Sequence, residues 1–454
     1  MKLGLISPSF PLISEDEQES QAFFLTDQNR KLASKVRDLL KRETAFGFEY
    51  DYSSNLFSAA LPLIAGLTPD SFDIKMIDEN REDINFSERF DLVGITAMTQ
   101  QATKAYEIAD EFRRKGVFVV IGGMHPTVLP KEAKEHADTV MVGEAENTWP
   151  VFMEDFLSGR TLPFYRETGV VDLERSPIPR FDLLKDKGYR MQVVQVSRGC
   201  PYDCEFCASS KVYGVRYRHK TVNQVIEEIE AIKDIWDTPF IYFADDDLFV
   251  HRDFAKRLLR AFIPLNIRWS AYAGSSVAWE DELLGLARES GCLWLSIGFE
   301  SVTEDGLRSI GRWKLNQLKR YPAVVEKVQS YGIVVRGSFI VGFDGDDLSI
   351  FKGIEDFVIS SNIYTINMGI LTPFPGTRIR EKFQREGRLL DTPWSNYNLV
   401  GVNYKPKLMT PLELQTGFVE TFERLYERAW REKAKYFRKI YRDLYRLGRL
   451  ARTA

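Results

Sequence analysis

Short apolar runs alternate with helical patterns through the first third of the chain. The apolar runs are "KLGLIS" (2–7), "DIKMID" (73–78), "DLVGIT" (91–96), "VFVVIGG" (117–123) and "TVMVGE" (139–144), and the helical patterns between the last three are "TKAYEIADEFRRKG" and "PKEAKEHA". Strands that are apolar on both faces and alternate with helices predict a parallel sheet covered by helices on each side. Ligands of such sheets bind at the carboxyl ends of the strands. Residues 8–70 fit this pattern less well and are expected to be helical in parts.

A second series of the same kind occupies the middle of the chain. Its strand candidates are "MQVVQVS" (191–197), "FIYFAD" (240–245), "IRWSAYAG" (267–274), "CLWLSIGFES" (292–301), "IVVRGSFIVGF" (333–343) and "YTINMGILTPF" (364–374). The helical patterns between them are "VNQVIEEIEAIKDI", "RDFAKRLLRAFI", "EDELLGLARESG", "LKRYPAVVEKVQSYG" and "SIFKGIEDFVISS". Six strands joined by five helices predict about three quarters of a parallel βα barrel, with a site at the face where the strands end.

The remaining segments complete the predicted organisation. The stretch "YRETGVVDLERSPIPRFDLLKDKGY", with two prolines close together, is typical of a connector. We predict a Rossmann-like domain over residues 1–160, a linker over 161–188, a partial barrel over 189–378 and a helical extension over 379–454.

Composition narrows the class of protein. The formal net charge is −4 and 28% of residues are charged, so a nucleic-acid-binding surface is not predicted. Four cysteines in 454 residues exclude a disulfide framework, and the start "MKLGLISPSF" lacks the zones of a signal peptide. No apolar run approaches the roughly 18 residues of a membrane span. A cytoplasmic protein is the expectation.

Three of the four cysteines stand close together in "SRGCPYDCEFCASS", which we name the cysteine loop (197–210). A structural zinc site needs four ligands, and neither a fourth cysteine nor a histidine at suitable spacing accompanies Cys200, Cys204 and Cys207. In a 4Fe-4S cluster each iron takes one external ligand, so three thiolates leave one iron open for a small molecule. Three unligated core cysteines are disfavoured in so polar a loop.

The CxxxCxxC spacing after the first strand of a six-stranded partial barrel resembles the radical S-adenosylmethionine (SAM) superfamily, and the aromatic Phe206 agrees with it. The resemblance implies that Cys200, Cys204 and Cys207 ligate a 4Fe-4S cluster whose open iron chelates SAM. Electron transfer from the cluster then cleaves SAM to a 5'-deoxyadenosyl radical. Cys292, which opens an apolar strand, is expected to be a buried thiol.

Other residues match the superfamily pattern more loosely. Glu300 ends the fourth barrel strand in "GFES", where a glutamate often reaches SAM; the alternative is a carboxylate that caps the strand end. The backbone of "GSFIVGFDGDD" is expected along adenine, and an arginine and serines are candidates for the SAM carboxylate. The residues implied are Ser276 or its neighbour Ser275, Arg336, Ile340 and Gly342.

An acidic triplet, Asp245, Asp246 and Asp247, stands in "YFADDDLF" at the mouth of the predicted barrel. Such acids can position a substrate or take a proton, so Asp245 and Asp246 are candidate catalytic residues. The alternative is a solvated loop that caps the helix beginning at "HRDF".

In the first domain, "VGITAMT", "IGGMHPT" and "VGEAE" resemble the cobalamin-binding domain that precedes the barrel in one large branch of the superfamily. Residues without bulky side chains at strand ends would let the nucleotide tail of the cofactor approach the backbone. A flavodoxin-like sheet with glycines in its turns is the alternative. The resemblance implies a tail pocket lined by Thr96, Thr99, Gly122 and Gly123, with His125, Gly143 and Glu144 nearby.

One motif departs from the pattern of related domains. Cobalamin domains with a histidine lower ligand carry DxHxxG after the first strand, whereas "PSFPLIS" follows it here, and His125 comes after the fourth strand. We therefore expect base-off cobalamin without a histidine ligand. Low coordination at cobalt makes Co(I) easier to reach, which suits methyl transfer.

The stretches "GSFIVGFDGDD", "LTPFPGTRIREKFQREGRLL" and "NYKPKLMTPLEL" make the chain similar to cobalamin-dependent radical SAM enzymes such as the hopanoid C-2 methylase and its bacteriochlorophyll and tetraether-lipid relatives. The likeness implies methylation of an unactivated carbon of a hydrophobic or natural-product substrate, through a 5'-deoxyadenosyl radical and methylcobalamin. Because this branch includes a cyclase and carbon-carbon coupling enzymes, non-methylating radical chemistry with the same cofactors is the alternative.

The same resemblance implies a small-molecule substrate, such as a lipid or tetrapyrrole, and an external electron donor such as flavodoxin or ferredoxin. From residue 431 the chain is strongly basic, with apolar residues at helical spacing. This end could lie on an anionic membrane surface, at the inner membrane face. The alternative is a solvated helix with a packed apolar stripe.

Overall fold

The computed structural model describes residues 1–10, 57–189, 191–310, 312–363 and 365–446. Within these residues the chain forms two large parallel sheets, one in each predicted domain, so the predicted α/β class is confirmed. The acidic stretch near residues 15–19 lies outside the described residues.

The first sheet has the spatial order β2–β1–β3–β4–β5–β6. Its described strands are β1 (Lys2–Ser7), β2 (Asp73–Asp78), β3 (Leu92–Thr96), β4 (Phe118–Gly122), β5 (Thr139–Val142) and β6 (Phe164–Arg166). The helices of this domain are α1 (Ala60–Gly66), α2 (Ala102–Arg114), α3 (Met124–Val128), α4 (Pro130–His136) and α5 (Thr148–Leu157). All strand pairs are parallel.

Helices cover both faces of this sheet because neighbouring residues of each strand point to opposite sides. Val93 and Ile121 belong to a core that includes the apolar face of α2, whereas Leu92 and Val120 belong to a second core that includes Phe152 of α5. The near-continuous apolar runs in the sequence follow from burial on both faces.

The first sheet extends into the range predicted as a linker. β6 pairs in parallel with β5, and the backbone N–H of Val140 also donates to the carbonyl of Pro163 at 3.0 Å. The short sequence "FYR" shows too little pattern to predict a strand, and its pairing depends on the exposed edge of β5.

The second sheet curls into a partial barrel with the order β14–β13–β12–β11–β10–β7. Its described strands are β7 (Met191–Val194), β10 (Phe240–Phe243), β11 (Arg268–Ala273), β12 (Cys292–Glu300), β13 (Val334–Val341) and β14 (Thr365–Ile370). A short antiparallel pair, β8 (Ser197–Arg198) and β9 (Arg218–His219), follows β7 and brackets most of the cysteine loop.

Helices on the outside of the barrel connect its strands as the apolar periodicity predicts. The longer ones are α7 (Val222–Lys233), α8 (Arg252–Phe262), α9 (Asp281–Glu289), α12 (Tyr321–Ser330) and α13 (Ser349–Ser360). The apolar faces of these longer helices and the outer faces of the strands share a single large core. Shorter helices elsewhere in this part of the chain are α6 (Ser209–Val212), α10 (Glu304–Ile310), α11 (Arg312–Leu315) and α14 (Arg378–Arg385).

The C-terminal extension, predicted as helical, includes a long helix, α15 (Pro411–Arg446). Thr410 and Glu413 form reciprocal hydrogen bonds at its start, which satisfy free N–H groups of the first turn. Gly417 lies against the ring of Phe351 in α13, and an added Cβ would stand 2.1 Å from that ring. The basic side chains from residue 431 onward lie outside the described part. Of the helices that are described, none combines the length and apolar character needed to cross a bilayer.

Candidate active site between the two sheets

A cavity of about 460 Å³ lies between the carboxyl ends of the first sheet and the mouth of the barrel. The first domain contributes the turns around residues 96–98, 122–124 and 143–146. The barrel contributes polar and aromatic residues around the cysteine loop: Gln195, Ser197, Arg198, Ser209, Tyr213 and Asp246. Parallel sheets and βα barrels both bind ligands at the carboxyl ends of their strands, so the cavity adjoins both expected binding faces.

Strand-end residues without bulky side chains bound the cavity on the first-domain side. We name Thr96, Gly122, Gly123 and Gly143 the first-domain wall. Gly123 has φ +109°, a conformation nearly restricted to glycine, and an added Cβ would stand 2.7 Å from the carbonyl oxygen of Ala97. Gly143 has φ +93°. Backbone therefore forms much of this surface.

Two other residues predicted for this pocket, Thr99 and His125, are buried beside the wall. Thr99 begins the turn that follows β3 and is 7% exposed. His125 is fully buried, with Nε2 3.2 Å from the Glu132 carboxylate and its ring centre 5.0 Å from that of Trp394. Trp394 belongs to the C-terminal extension and donates from Nε1 to Glu132 at 2.9 Å. In the described structure, His125 thus takes part in the contact between the first domain and the extension.

The cysteine loop is anchored at its start and in its middle. Gly199 has φ +87°, and an added Cβ would stand 2.3 Å from the carbonyl oxygen of Arg216, so the chain can cross there only as glycine. Asp203 forms an ion pair with Arg378 at 2.5 Å, which ties the loop to the first turn of α14. The loop conformation is therefore supported by contacts with two later segments of the chain.

The three thiols of the loop are partly buried. Burial raises the pKa of Cys200 to about 11 and that of Cys204 to about 12, and repulsion from Cys207 contributes to both. Among the described residues, no three His, Cys, Asp or Glu side chains converge on one metal ion.

Glu300 lies at the end of β12 beside the cysteine loop, with φ +66°. Its carboxylate is 3.7 Å from Nζ of Lys314, which also donates to the carbonyl of Gly298. Burial raises the pKa of Glu300, and Lys314 opposes that shift. The charge of Glu300 in turn raises the pKa of Cys204, which places the carboxylate near the thiols. A buried carboxylate-ammonium pair thus stands next to the predicted cluster.

The serine and arginine candidates lie in different places. Ser276 stands in the turn after β11, where its hydroxyl accepts from Arg252 at 2.6 Å and also contacts Tyr202 of the cysteine loop. Arg336 is 4% exposed. The alternation along β13 puts Arg336 and Ile340 on the inner face of the barrel, because Val335 and its alternate residues pack under the outer helices.

The loop after β13 is held by side chains from two other positions. Gly342 has φ +96°, and an added Cβ would stand 2.2 Å from the hydroxyl oxygen of Tyr404, which donates to the Gly342 carbonyl. The Asp346 carboxylate accepts from the N–H groups of Gly342 and Phe343 at 3.0 Å each. Burial raises the pKa of Asp346 to about 7. Phe343 also packs edge-on against Phe206, which connects this loop with the cysteine loop.

The acidic triplet is divided between the cavity and the protein interior. Asp246 lines the cavity and accepts from the Ser209 hydroxyl at 2.6 Å. Asp245 is buried and accepts from the backbone and hydroxyl of Ser197, and burial raises its pKa to about 7. Asp247 is buried and accepts backbone N–H groups of two turns. Asp246 can therefore contact a molecule bound in the cavity. The carboxylates of Asp245 and Asp247 instead accept hydrogen bonds within the fold.

The contacts of several residues in this region are not predicted from the sequence. Glu144, predicted near the cofactor pocket, lines the cavity, and its carboxylate also forms ion pairs with Arg198 at 2.6 Å and Arg218 at 2.9 Å. Arg198 directly precedes the Gly-Cys pair of the cysteine loop, a position that could have flagged it. Lys314 and Tyr404 carry no comparable signal, since their contacts cross between separate segments of the fold.

Comparison with known proteins accounts for both domains. Residues 194–358 match the model of the radical SAM superfamily, and residues 54–152 match that of the B12 binding domain. The bacteriochlorophyllide d C-12(1)-methyltransferase of Chlorobaculum tepidum is 30% identical over 377 residues, which cover 81% of this chain and 82% of that protein. The chain belongs to the cobalamin-binding radical SAM family. The alternative of an unrelated flavodoxin-like first domain is thereby excluded.

Other members of this radical SAM family differ in reaction. The hopanoid C-2 methylase of Rhodopseudomonas palustris is 26% identical over 73% of this chain and 64% of its own length. The anaerobic magnesium-protoporphyrin IX monomethyl ester cyclase of Rubrivivax gelatinosus is 24% identical over 77% of this chain and 68% of its own length. The relatives of this radical SAM enzyme thus include both methyltransferases and a cyclase.

A solved structure shares the fold of this radical SAM enzyme. The methyltransferase TsrM from Kitasatospora setae, with cobalamin and a 4Fe-4S cluster bound, aligns over 93% of this chain and 88% of its own with a TM-score of 0.61 and 15% identity. With the two domain matches, the cofactors of the present enzyme are a 4Fe-4S cluster, SAM and cobalamin.

Proposed function

We propose that this enzyme transfers a methyl group from SAM to an unactivated carbon of a hydrophobic substrate, such as a tetrapyrrole or polycyclic lipid, in the cavity between its domains. The observation that carries the proposal is the cavity, because the first-domain wall and residues of the cysteine loop line the same space. The methyltransferases among the relatives support the reaction, and the tetrapyrrole and hopanoid in their names support the substrate class.

The cysteine loop fits a 4Fe-4S cluster, and we assign Cys200, Cys204 and Cys207 as its ligands. Their burial disfavours the thiolate form, so a positively charged metal centre is needed to stabilise the ionised sulfurs. We place the SAM-contacting groups at Glu300 and along the backbone near Gly342, which border the loop through Cys204 and Phe206.

The first-domain wall fits a bulky cofactor because side chains would fill the space that its backbone leaves open. We assign Thr96, Gly122, Gly123 and Gly143 to contact with cobalamin. Thr99 and His125 support the wall from behind, since both are buried outside the cavity lining of the described structure.

When bound, the cluster supplies the electron that cleaves SAM and cobalamin supplies a methyl carrier. The chain's own residues hold the substrate between them. Asp246 and Ser209 can orient a polar group of the substrate at the barrel mouth. Apolar residues such as Ile95, Val193 and Val212 line other parts of the cavity and exclude water from a reactive radical.

The test is anaerobic reconstitution of protein expressed with cobalamin, followed by turnover with SAM deuterated in its methyl group. We expect about four irons and about one cobalt per chain. With tetrapyrrole and hopanoid substrates, we expect 5'-deoxyadenosine and a product that carries the labelled methyl group. Iron without cobalt would contradict the methyltransferase assignment. A changed product without label would instead establish ring formation or carbon-carbon coupling.

We further propose that an external flavodoxin or ferredoxin reduces the cluster and that the basic end from residue 431 contacts an anionic membrane. The charge and helical spacing of this end support the second proposal. Flotation with anionic liposomes should recover the full chain and not a chain ending near residue 430. Equal flotation of both would contradict membrane contact through this end.

A further inference from the structure

A buried group of charges joins the cobalamin-binding domain to the cysteine loop. We name Glu144, Glu146, Arg198 and Arg218 the interdomain charge cluster. Arg198 lies 2.6 Å from Glu144 and 2.7 Å from Glu146, and Arg218 lies 2.9 Å from Glu144. Each side chain is less than a tenth exposed. Since unpaired buried charges are strongly unfavourable, these groups favour the one domain arrangement that pairs them.

Further contacts hold the two arginines from the barrel side. Nε of Arg198 donates to the side chain of Gln195 at 2.8 Å, and its guanidinium stands 5.6 Å from the centre of the Tyr213 ring. Arg218 donates to the backbone carbonyls of Val171, in the linker, and of Tyr213, both at 3.1 Å. These contacts orient each guanidinium in addition to its ion pairs with the first domain.

The members of the charge cluster lie only a few residues along the chain from the two faces of the cavity. Glu144 directly follows Gly143 of the first-domain wall, and Glu146 lies in the same turn. Arg198 ends β8 two residues before Cys200, and Arg218 is its register partner in β9. A shift at these ion pairs would therefore change the separation between the wall and the cysteine loop.

We propose that the interdomain charge cluster sets this separation, so that Arg198 and Glu146 are positioning residues for methyl transfer. The inference rests on the proposed function for its catalytic readout. Radical formation needs the barrel groups alone, whereas methyl transfer needs both faces at the correct distance from one substrate. A misplacement of about 1 Å can cost about 100-fold in rate, so a loosened cluster uncouples the two events.

The experiment compares full-length reconstituted Arg198→Lys, Glu146→Gln and the double variant with the unaltered enzyme. Lysine keeps the charge, but its single nitrogen cannot replace both Nη1, which contacts the two carboxylates, and Nε, which donates to Gln195. We expect methylated product per 5'-deoxyadenosine to fall by about tenfold or more, so that methyl transfer loses more than radical formation does. Because both residues act through one contact, the double variant should lose no more coupling than the stronger single variant.

A matched control is Lys187→Gln. Lys187 pairs with Glu82 and joins the linker to the first domain, and neither residue lines the cavity in the described structure. We expect its coupling ratio to equal that of the unaltered enzyme. An unchanged ratio in both Arg198→Lys and Glu146→Gln, or an equal fall in Lys187→Gln, would overturn the inference. So would loss of iron in Arg198→Lys, because that would show a role in the metal site itself.

Hydrogen exchange of the same proteins gives a readout that does not depend on methyl transfer. We expect faster backbone exchange in residues 139–157 and 195–219 of Arg198→Lys and Glu146→Gln, and not of Lys187→Gln. If the unaltered enzyme yields no methylated product, the proposed function fails. Hydrogen exchange then tests by itself whether the charge cluster holds the two domains in place. Unchanged exchange in both variants would then contradict it.

Discussion

The cysteine loop and the first-domain wall line one cavity but are built on opposite principles. The loop offers side chains at fixed spacing, with Cys200, Cys204 and Cys207 as the chemical groups. The wall offers exposed backbone, because Gly122 and Gly123 carry no side chain and Gly123 cannot accept one without a clash. The first kind of site fails when a donor atom is removed, whereas the second fails when an atom is added.

The loop after β13 combines features of both sites. Its binding surface is backbone around Gly342, as in the wall, but Tyr404 and Asp346 hold that backbone through side-chain hydrogen bonds. Its function therefore depends on residues that do not themselves belong to the surface. Substitutions in the cysteine loop, the first-domain wall and the loop after β13 therefore test donor atoms, open backbone and supporting side chains separately.

Cys204→Ser should have the largest effect because it removes one proposed ligand of the cluster. We expect loss of iron and a fall of 5'-deoxyadenosine formation to background, with cobalamin still bound by the first domain. In the cluster-free proteins, the free energy of unfolding should differ by no more than about 1 kcal/mol, since the thiol is partly exposed. Iron analysis, cobalt analysis and urea unfolding measure these outcomes.

The control for this substitution is Cys292→Ala. Cys292 is fully buried and its thiol donates to the carbonyl of Trp294 at 3.5 Å. Its loss should cost about 1–2 kcal/mol of stability and no iron. Equal iron content in Cys204→Ser and the unaltered protein would contradict the ligand assignment.

Gly123→Ala should abolish cobalamin binding and leave iron in place. The methyl group would contact the backbone of Ala97, and the backbone conformation at φ +109° costs about 1–3 kcal/mol for a residue other than glycine. The matched control is Gly116→Ala, where φ is +80° and no atom lies within 4 Å of an added Cβ. There we expect strain of about 1–2 kcal/mol and full cobalt content. Similar cobalt content in both variants would place cobalamin elsewhere.

Tyr404→Phe should weaken SAM binding without removing either metal. The substitution leaves the buried carbonyl of Gly342 without its hydroxyl donor, at a cost of about 1–3 kcal/mol. We expect a several-fold higher KM for SAM in 5'-deoxyadenosine formation. Tyr397→Phe is the control, because Tyr397 is also a buried tyrosine of the extension but bonds Arg380 instead. An equal rise in KM for both variants would exclude a specific role of the Gly342 contact.

Asp346→Asn should have the smallest effect on cofactor content and catalysis, and its effect should be seen in the pH dependence of stability. Burial raises the pKa of Asp346 to about 7, above the value of about 3.9 in an unfolded chain. The folded state therefore binds this proton more tightly, and the associated stability is present below about pH 4 and lost as pH rises through about 7. Relative to Asp346→Asn, the unaltered protein should lose free energy of unfolding between about pH 5 and pH 8.

Urea unfolding across this pH range measures the difference, and Asp347→Asn is its control. Hydrogen bonds from Ser349 lower the pKa of the exposed Asp347, so its contribution is constant above about pH 5 and is lost only in acid. A difference between unaltered protein and Asp346→Asn that stays constant with pH would contradict the raised pKa.

The sequence predicts the architecture of this protein closely because a strand that is buried on both faces is a near-continuous apolar run. The runs at 2–7 and 73–78 are strands over those same residues, and the barrel strands differ from their predicted bounds mainly at the ends. The exception is β6, whose residues form no apolar run because the strand is short and lies at a sheet edge. The radical SAM and cobalamin assignments are also confirmed, and the roles of individual site residues stay predictions.

By itself, the sequence determined the α/β class, the two-sheet organisation and the chemistry of the cysteine loop, because these depend on local periodicity and local spacing. Tertiary structure alone decided which side chains share the cavity. It paired Glu144, which also lines the cavity, with Arg198, directed Asp246 to the cavity, and brought Tyr404 to the carbonyl of Gly342. Such contacts join residues about 40–60 positions apart or face a space between domains, so they depend on how two sheets meet, which no local pattern encodes.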